Sequence, residues 1–381
     1  MRAIYAFSGD PITYGHIDIV KRAARTYDEV VVAIGENPEK TGQYLFSTPE
    51  RLVLTKRCLA KLPNVECVTF SGLLGEYAYR NGFDVIVRGV RNNSDLEGEL
   101  VQFAVNESQH LIVDTVFFPT RRELSHISSG IVKAIVREGG DVSAYCPLPV
   151  KEELEKRILG KYSIGIAGGI ATGKSYIAER LVQALSATIT ATYVSLDDVG
   201  HHILGTTEEH IFVHTRRRIA ERFGTHLLNA DGAIDRKLLG KIVFANPSAL
   251  AELNEIMREP MLARLYEEAR SLPVGVMVLE GAILVEAQWT NLVNNNILLI
   301  DAPEEIRFQR LMQRSGIAEP EARLKIRRQI TSQERSAIME KRIDDAGWGH
   351  LWKLTTANRK PALSELATTI ADIAMQKEVV E

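Results

Sequence analysis

The sequence feature that most constrains the fold is a glycine-rich segment at residues 168–175, which reads Gly-Gly-Ile-Ala-Thr-Gly-Lys-Ser. An apolar run at residues 162–167 precedes it, and a helical pattern at residues 176–185 follows it. A strand, a glycine-rich loop and a helix in this order present backbone N–H groups to phosphate at the start of the helix. The segment therefore predicts a phosphate-binding loop. A glycine-rich turn without a ligand is the alternative.

The residue types in this loop indicate ATP as the ligand and Mg²⁺ as its accompanying ion. We predict that Lys174 is catalytic because it is placed to reach the outer phosphates, and the hydroxyl of Ser175 is a candidate Mg²⁺ ligand. The predicted ATP-binding residues of the loop are Gly168, Gly169, Ile170, Ala171, Thr172, Gly173, Lys174 and Ser175.

Two further groups of charged residues fit phosphoryl transfer. Asp197 and Asp198 follow the next predicted strand, where a carboxylate can orient or deprotonate an acceptor hydroxyl. Capping of a helix is the alternative role for this pair. Arg310 and Arg314 share one face of a later predicted helix, and arginines on a closing lid neutralise charge on a transferred phosphate. A solvated basic face is the alternative for the arginines.

The chain length of 381 residues favours two domains, each able to bury a core. A Pro-containing stretch at residues 145–149 and a charged helix at residues 151–158 separate two strand-and-helix patterns. We therefore predict domains at residues 1–157 and 160–381. Alternating strands and helices predict an α/β class for both, with a parallel, doubly wound sheet in the first and a P-loop kinase fold with a helical lid in the second.

Composition excludes several classes of function. The formal net charge of −3 gives no global basic field, so nucleic acid is not an expected partner. The three cysteines are too few for a disulfide framework or a zinc site, which favours a reducing compartment and a cytoplasmic location. No stretch approaches the ~18 apolar residues of a membrane span, and the chain opens on a strand-like run instead of a signal peptide, so we expect no membrane association.

In the first half, polar and basic residues recur directly after the predicted strands. Because the carboxyl ends of parallel strands form the ligand-binding edge of a doubly wound sheet, this recurrence favours a functional site over scattered surface charges or helix caps. The imidazole of His16, in the segment Thr-Tyr-Gly-His, is placed where phosphates would meet a helix N-terminus. The residues at these strand ends are His16, Lys40, Arg88, Arg91, Ser125, Ser128 and Ser129.

Several segments of the second half carry a family resemblance: residues 165–175, 196–201, 236–247, 280–289 and 310–314. They are similar to dephospho-coenzyme A kinases, and the likeness covers nearly all of residues 162–350. By this resemblance Asp197 matches the aspartate that activates the acceptor hydroxyl. Ser195 stands where many members carry aspartate, and Glu259 where many carry histidine. The resemblance implies phosphorylation of dephospho-coenzyme A by ATP.

The first 150 residues resemble bacterial phosphopantetheine adenylyltransferases, in the nucleotidyltransferase superfamily. Residues 10–20, 88–91, 127–129 and 140–142 carry the likeness, together with Asp95, Glu99 and Lys133. The resemblance implies direct attack of the phosphate of 4′-phosphopantetheine on the α-phosphorus of ATP. It implies that His16, Lys40 and Arg88 are catalytic, that Ser8, Lys40, Leu73 and Arg88 bind substrate, and that Ser8, His16, Arg91, Glu99, Ser128 and Ser129 bind ATP.

The first half departs from the family pattern at four positions. Phe7 stands where a glycine normally lets backbone approach the nucleotide, and Gly9 follows Ser8 and could restore the turn. Gly130 replaces the third serine of Ile-Ser-Ser-Ser, and Leu124 occupies a position that is often aromatic. These departures motivate an alternative in which the first domain only binds nucleotide or drives oligomerisation.

Together the two resemblances predict a bifunctional coenzyme A synthase. Its expected small-molecule partners are ATP, 4′-phosphopantetheine and dephospho-coenzyme A, with Mg²⁺ as cofactor. Self-association through the first domain is also expected as a candidate. One alternative is a kinase with a catalytically impaired first domain, and another is a different nucleotidyltransferase joined to a nucleoside or nucleotide kinase.

Overall fold

The computed structural model of the chain describes residues 1–36, 42–108, 113–357 and 363–376. The chain separates into two compact units. The first is built chiefly from Met1–Lys161, and the second from Tyr162–Glu340 and His350–Ala374. None of the helices in these described ranges combines the length and the apolar character needed to span a membrane.

The first unit contains a five-stranded sheet in the order β3-β2-β1-β4-β5, in which every neighbouring pair is parallel. This confirms the predicted parallel α/β class. Its strands are β1 (Arg2–Phe7), β2 (Glu29–Ile34), β3 (Val65–Thr69), β4 (Val85–Val90) and β5 (Asp114–Pro119). Its helices are α1 (Tyr14–Thr26), α2 (Thr48–Leu59), α3 (Leu74–Arg80), α4 (Asn93–Ser108), α5 (Ser129–Arg137) and α6 (Leu148–Leu154).

The central strands of this sheet are buried on both faces. Tyr5 and Val32 pack into one core, while Ile4 and Val31 pack into the core on the opposite face. Because side chains alternate across a strand, a continuous apolar run fills both cores at once, which is what the β-branched run of β2 predicts.

The predicted charged helix after the Pro-containing stretch is α6, which begins at Leu148 and continues as a π-helical turn, Glu155–Leu159. Val150 and Leu154 are fully buried in the core of the first unit. The division between the units falls between Lys161 and Tyr162, after this helix. The helix is therefore an integral part of the first unit.

The second unit contains another five-stranded sheet, in the order β10-β9-β6-β8-β7. Its strands are β6 (Lys161–Gly168), β7 (Ala191–Ser195), β8 (Gly275–Glu280), β9 (Ile297–Asp301) and β10 (Leu351–Thr355). Its helices are α7 (Lys174–Leu185), α8 (Leu196–Leu204), α9 (His210–Phe223), α10 (Arg236–Ala245), α11 (Pro247–Ser271), α12 (Glu304–Ser315), α13 (Glu319–Arg327), α14 (Ser332–Ala346) and α15 (Ser364–Met375).

The central strand β6 places the glycine-rich loop. Ile164 and Ile166 are fully buried and pack with Val278 and Ile300 in the core beneath the loop. The strand ends at Gly168 and α7 begins at Lys174, so the loop lies between a buried strand and a helix N-terminus, as the sequence predicts.

Candidate active sites

The first unit holds two adjoining clefts at the carboxyl ends of β1 and β4. The larger has a volume of about 970 Å³ and the smaller about 490 Å³. Lys40 lies outside the described residues, and Ser125 lines neither cleft, because its hydroxyl donates to the carbonyl of Arg122 at 2.9 Å. The other site residues predicted in this unit line one or both clefts. His16, Arg91, Ser128 and Ser129 line the larger cleft, Leu73 lines the smaller, and Ser8, Arg88 and Glu99 line both.

His16 lies in the first turn of α1, directly after the strand β1. Its Nδ1 accepts a hydrogen bond from the backbone N–H of Thr13 at 3.1 Å, so the proton of a neutral ring resides on Nε2. Burial lowers the pKa of His16 to about 4, and the positive charge of Arg91 acts in the same direction. The imidazole is therefore neutral near pH 7 and carries one donor for a ligand in the cleft.

Two arginines at the end of β4 are held by carboxylates of α4. The Nε of Arg88 donates to Glu99, and its Nη1 donates to the carbonyl of Ala6 at 3.3 Å. The Nε of Arg91 donates to Asp95 at 2.9 Å. Arg88 and Glu99 are both largely buried. The pairs orient the guanidinium groups toward the clefts, where guanidinium geometry suits phosphate oxygens.

The loop after β1 is fixed by a buried arginine that sequence reasoning did not single out. Arg51 on α2 is 0% exposed, and it donates to the carbonyls of Ser8 and Gly35. Gly9 has φ +62°, a conformation that L-residues rarely adopt. The turn therefore needs both the glycine and the distant arginine, which no local pattern could reveal.

Two serines predicted to bind ATP lie at the start of α5. Ser128 is the N-cap residue, and its side chain accepts from the backbone N–H of Ile131 at 3.2 Å. The hydroxyl of Ser129 donates to the carbonyl of Pro11 at 2.7 Å. Both line the larger cleft beside a helix N-terminus, which favours anions.

Asp10 and Lys133 form a buried ion pair in the wall of the same cleft. Their side chains are 2.6 Å apart, and Asp10 is 4% exposed. The carboxylate also accepts from the backbone N–H groups of Leu45 and Phe46. Asp10 therefore ties the loop after β1 to α5 and to the segment before α2, which is a structural role that its place in a family motif does not reveal.

The glycine-rich loop of the second unit depends on close backbone contacts. Gly168 has φ +158°, and a Cβ there would lie 2.3 Å from the carbonyl oxygen of Ile300. Gly173 has φ +93° at the N-cap of α7. The hydroxyl of Thr172 donates to the carbonyl of Gly169 at 2.9 Å, which closes the loop on itself. The backbone conformation and the close contacts of the loop therefore require these glycines.

Lys174 and Ser175 meet a buried carboxylate at the end of β8. The Nζ of Lys174 is 3.9 Å from Glu280, and the hydroxyl of Ser175 lies 3.5 Å from the same carboxylate. Tyr193 donates to Glu280 at 3.2 Å. Burial raises the pKa of Glu280 and lowers that of Lys174, while their proximity opposes both changes. Glu280 and Tyr193 were not predicted as site residues, although Glu280 lies in a family-like segment.

The two candidate aspartates lie in the first turn of α8, and both are exposed. The negative charge of Asp197 acts on Lys174 and Glu280, which associates it with the loop. The backbone N–H of Asp198 instead donates to Ser195, and its side chain is 3.9 Å from His201. The helix cap is thus Ser195, so neither aspartate serves as the cap.

The arginines of α12 divide into different roles. Arg310 donates to the hydroxyl of Thr356 at 3.0 Å and lies 3.3 Å from the carbonyl of Thr172, whereas Arg314 is exposed. Arg307 donates to the carbonyl of Ile170 at 3.0 Å, and the N–H of Ile170 donates to Gln329 at 2.7 Å. Gln329 was not predicted, because only the fold brings it to the loop.

Comparison with known proteins gives the same division of the chain. Residues 162–348 match the dephospho-CoA kinase family, and residues 8–135 match the cytidylyltransferase-like family. A phosphopantetheine adenylyltransferase of Alkaliphilus metalliredigens is 41% identical over 40% of this chain and 97% of its own length. Those of Caldanaerobacter subterraneus and Methylococcus capsulatus are 42% and 40% identical over 41% and 42% of this chain, and each is covered over 96% of its length. The chain therefore belongs to the phosphopantetheine adenylyltransferase family through its first unit, and its second unit carries the match to the dephospho-CoA kinase family.

Proposed function

We propose that this protein is a bifunctional enzyme of coenzyme A synthesis. Its first unit transfers AMP from ATP to 4′-phosphopantetheine, which yields dephospho-CoA and pyrophosphate. Its second unit phosphorylates the ribose 3′-hydroxyl of dephospho-CoA with a second ATP. The observation that carries the proposal is that one chain joins members of two families in which the product of the first reaction is the substrate of the second.

In adenylyl transfer, a phosphate oxygen of 4′-phosphopantetheine attacks the α-phosphorus of ATP, and the bond to the β-phosphate breaks. No group of the protein need become covalently attached, so catalysis consists of positioning and charge stabilisation. His16 supports this role because its Nδ1 is engaged by Thr13 and its Nε2–H is left to donate to the α-phosphate. Negative charge that builds up on the phosphate oxygens strengthens that hydrogen bond in the transition state.

The remaining residues of the first site are proposed to bind the two substrates. Arg88, which lines both clefts, is suited to phosphates of both substrates, and Lys40 is proposed to share that role. Ser8 and Leu73 would bind phosphopantetheine in the smaller cleft. Ser128 and Ser129 would bind the ATP phosphates at the start of α5, and Arg91 and Glu99 would contact ATP in the larger cleft.

In the kinase reaction, the 3′-hydroxyl attacks the γ-phosphorus of ATP and ADP leaves. We assign Asp197 as the group that accepts the hydroxyl proton, because it is the exposed carboxylate whose charge acts on Lys174. Lys174 and the loop N–H groups would hold the outer phosphates, and Arg310 would neutralise charge on the transferred group. Arg314, which is exposed, is proposed to engage phosphate only when a ligand is bound.

The donor set near the loop fits Mg²⁺. The Ser175 hydroxyl and the Glu280 carboxylate lie 3.5 Å apart, and both offer oxygen atoms as metal ligands. Among the described residues no group of three or more His, Cys, Asp or Glu side chains could hold a metal, so phosphates and water would supply most of the ligands, as Mg²⁺ favours. When bound, the ion would neutralise charge on the outer phosphates.

We further propose a cytoplasmic location and self-association through the first unit. The three cysteines are free, which is compatible with a reducing compartment. The helix α4 has no buried residue, and its apolar side chains Leu100, Val101 and Val105 are exposed, Val101 by 65%. An apolar face of this kind is typical of a subunit interface. Sedimentation of the wild type against Val101→Lys tests this, since only the wild type should associate.

The proposed function is tested by incubating the protein with 4′-phosphopantetheine, ATP and Mg²⁺ and identifying products by mass. The wild type should form CoA, Lys174→Ala should accumulate dephospho-CoA, and His16→Ala should form neither while still converting supplied dephospho-CoA. A wild type that converts only supplied dephospho-CoA would refute the assignment of the first unit. A wild type that stops at dephospho-CoA would refute the assignment of the second.

A further inference from the structure

Three aromatic rings form a column from the sheet to the catalytic imidazole. The ring of Tyr5 stacks on that of Phe7 with centroids 5.3 Å apart, and Phe7 covers the imidazole of His16 with centroids 4.5 Å apart and planes 33° apart. Tyr5 is buried within β1, so the base of the column is rigid. The imidazole is thereby held on one face by Phe7 and at its edge by Thr13.

Phe7 lies where the two clefts of the first unit meet, because it lines both of them. A Cβ built on Gly9 would lie 3.4 Å from the Phe7 ring and 3.2 Å from Ile34. Gly9 itself has φ +62°. The Phe7 ring therefore lies close to both the turn at Gly9 and the imidazole of His16.

Among the residues that the structure describes, the charged groups around His16 do not provide a counter-ion for a protonated ring. On β4 and after it, Arg88 and Arg91 are cationic, and the carboxylates of α4, Glu99 and Asp95, are engaged by these arginines. The remaining charged groups that described residues contribute to the cleft wall are Asp10, in the loop after β1, and Lys133 on α5, which pair with each other. The Phe7 ring excludes water from the imidazole of His16, and Arg91 adds a neighbouring positive charge. Both effects favour the neutral imidazole.

We propose that Phe7 is a positioning residue for adenylyl transfer. Its ring shields the imidazole of His16 from water and orients it toward the junction of the two clefts. This inference rests on the proposed adenylyltransferase function of the first unit. The Phe7 ring thus supports the imidazole from the side of β1. A glycine at this position has no side chain and could not do so.

Replacement of Phe7 separates this role from simple packing. Phe7→Gly should lower kcat for adenylyl transfer roughly 10- to 100-fold with little change in the KM for ATP, because the donor is misoriented while the phosphate contacts remain. Phe7→Tyr keeps the ring and should restore kcat to within about threefold of the wild type. Phe83→Leu is the matched control, because Phe83 is a buried phenylalanine in the core on the opposite face of the sheet. It should leave kcat unchanged.

The direct readout is the pH titration of the His16 ring by NMR, assigned with His16→Gln, in the full-length protein. The pKa of His16 should be near 4 in the wild type and Phe7→Tyr, and should rise by about one pH unit or more in Phe7→Gly. Kinase activity on supplied dephospho-CoA monitors integrity of the chain.

Either of two results would overturn the proposal: Phe7→Gly titrates like the wild type, or Phe7→Gly transfers AMP as fast as or faster than the wild type. If Phe7→Gly does not fold, Phe7→Leu replaces it and should lower kcat while Phe7→Tyr does not. Equal kcat in Phe7→Leu and the wild type would then refute the role of the ring. A wild type without adenylyl transfer refutes the proposed function, whereas the titration still tests the role of Phe7.

Discussion

Substitution of Gly168 by alanine should damage the second unit through backbone crowding alone. The new Cβ would lie 2.3 Å from the carbonyl oxygen of Ile300 and 3.0 Å from the Thr172 hydroxyl. The first distance is far inside van der Waals contact, and the crowded atom is backbone of the adjacent strand, which cannot rotate away. Overpacking of this kind costs about 1–3 kcal/mol. L-residues rarely adopt a φ of +158°, and a sparsely populated backbone conformation costs about 1–3 kcal/mol.

Gly232→Ala isolates the crowding contribution. Gly232 has φ +81° and no atom within 4 Å of an added Cβ, so its replacement by alanine costs only the conformational strain. Gly168→Ala should therefore lower the free energy of unfolding by about 3 kcal/mol in all, and Gly232→Ala by about 1 kcal/mol. For a unit of this size, 3 kcal/mol corresponds to a Tm lower by roughly 6–12 °C.

Thermal unfolding followed by tryptophan fluorescence measures the difference, because two of the three tryptophans, Trp289 and Trp352, lie in the second unit. Kinase activity of Gly168→Ala should fall while adenylyl transfer persists, which localises the damage. Equal stability of the two variants, with normal kinase activity in Gly168→Ala, would refute the argument that β9 approaches the loop too closely for a side chain.

Three further predictions follow from the sites. Asp197→Asn should lower kcat of the kinase reaction by about 10²–10⁴-fold, while Asp198→Asn should not, and a comparable loss in both would contradict the assignment of the base. Asp10→Ala leaves Lys133 without its buried partner and should destabilise the first unit by about 3–5 kcal/mol in urea unfolding, whereas unchanged stability would contradict a structural role for the pair. Since the pKa of His16 is lowered to about 4, the unfolded chain binds more protons than the folded chain between about pH 6.5 and 4. The free energy of unfolding should therefore decrease as the pH is lowered from about 6.5 to about 4. His16→Gln should lose that part of the pH dependence, and identical profiles would argue against a buried neutral ring.

The local patterns predicted the fold class well because buried parallel strands and glycine-rich loops have strong signatures in sequence. The β-branched run at residues 29–34 and the segment before Lys174 are of this kind. The contacts that fix the loops join residues far apart in the chain, and periodicity does not report them. Arg51 reaches Ser8, and Gln329 reaches Ile170, only after the helices pack.

The departures from the family pattern were harder to interpret from sequence. Phe7 motivated the alternative of a catalytically impaired first domain, because a side chain replaces a glycine beside the nucleotide. The structure packs its ring against His16, so its effect depends on side-chain direction, which a sequence does not specify. The roles of the site residues themselves stay predictions, and Lys40 lies outside the described residues.

The shared wall of the two clefts has a consequence for inhibitor design. Ser8, Arg88 and Glu99 line both cavities, so groups bound in the two clefts would contact the same three residues. A single molecule that joins a nucleotide portion to a pantetheine portion would lose its translational and rotational freedom once, whereas two separate ligands lose theirs twice. Such a tethered compound should bind more tightly than either fragment, and a reaction product with the same connectivity would leave slowly.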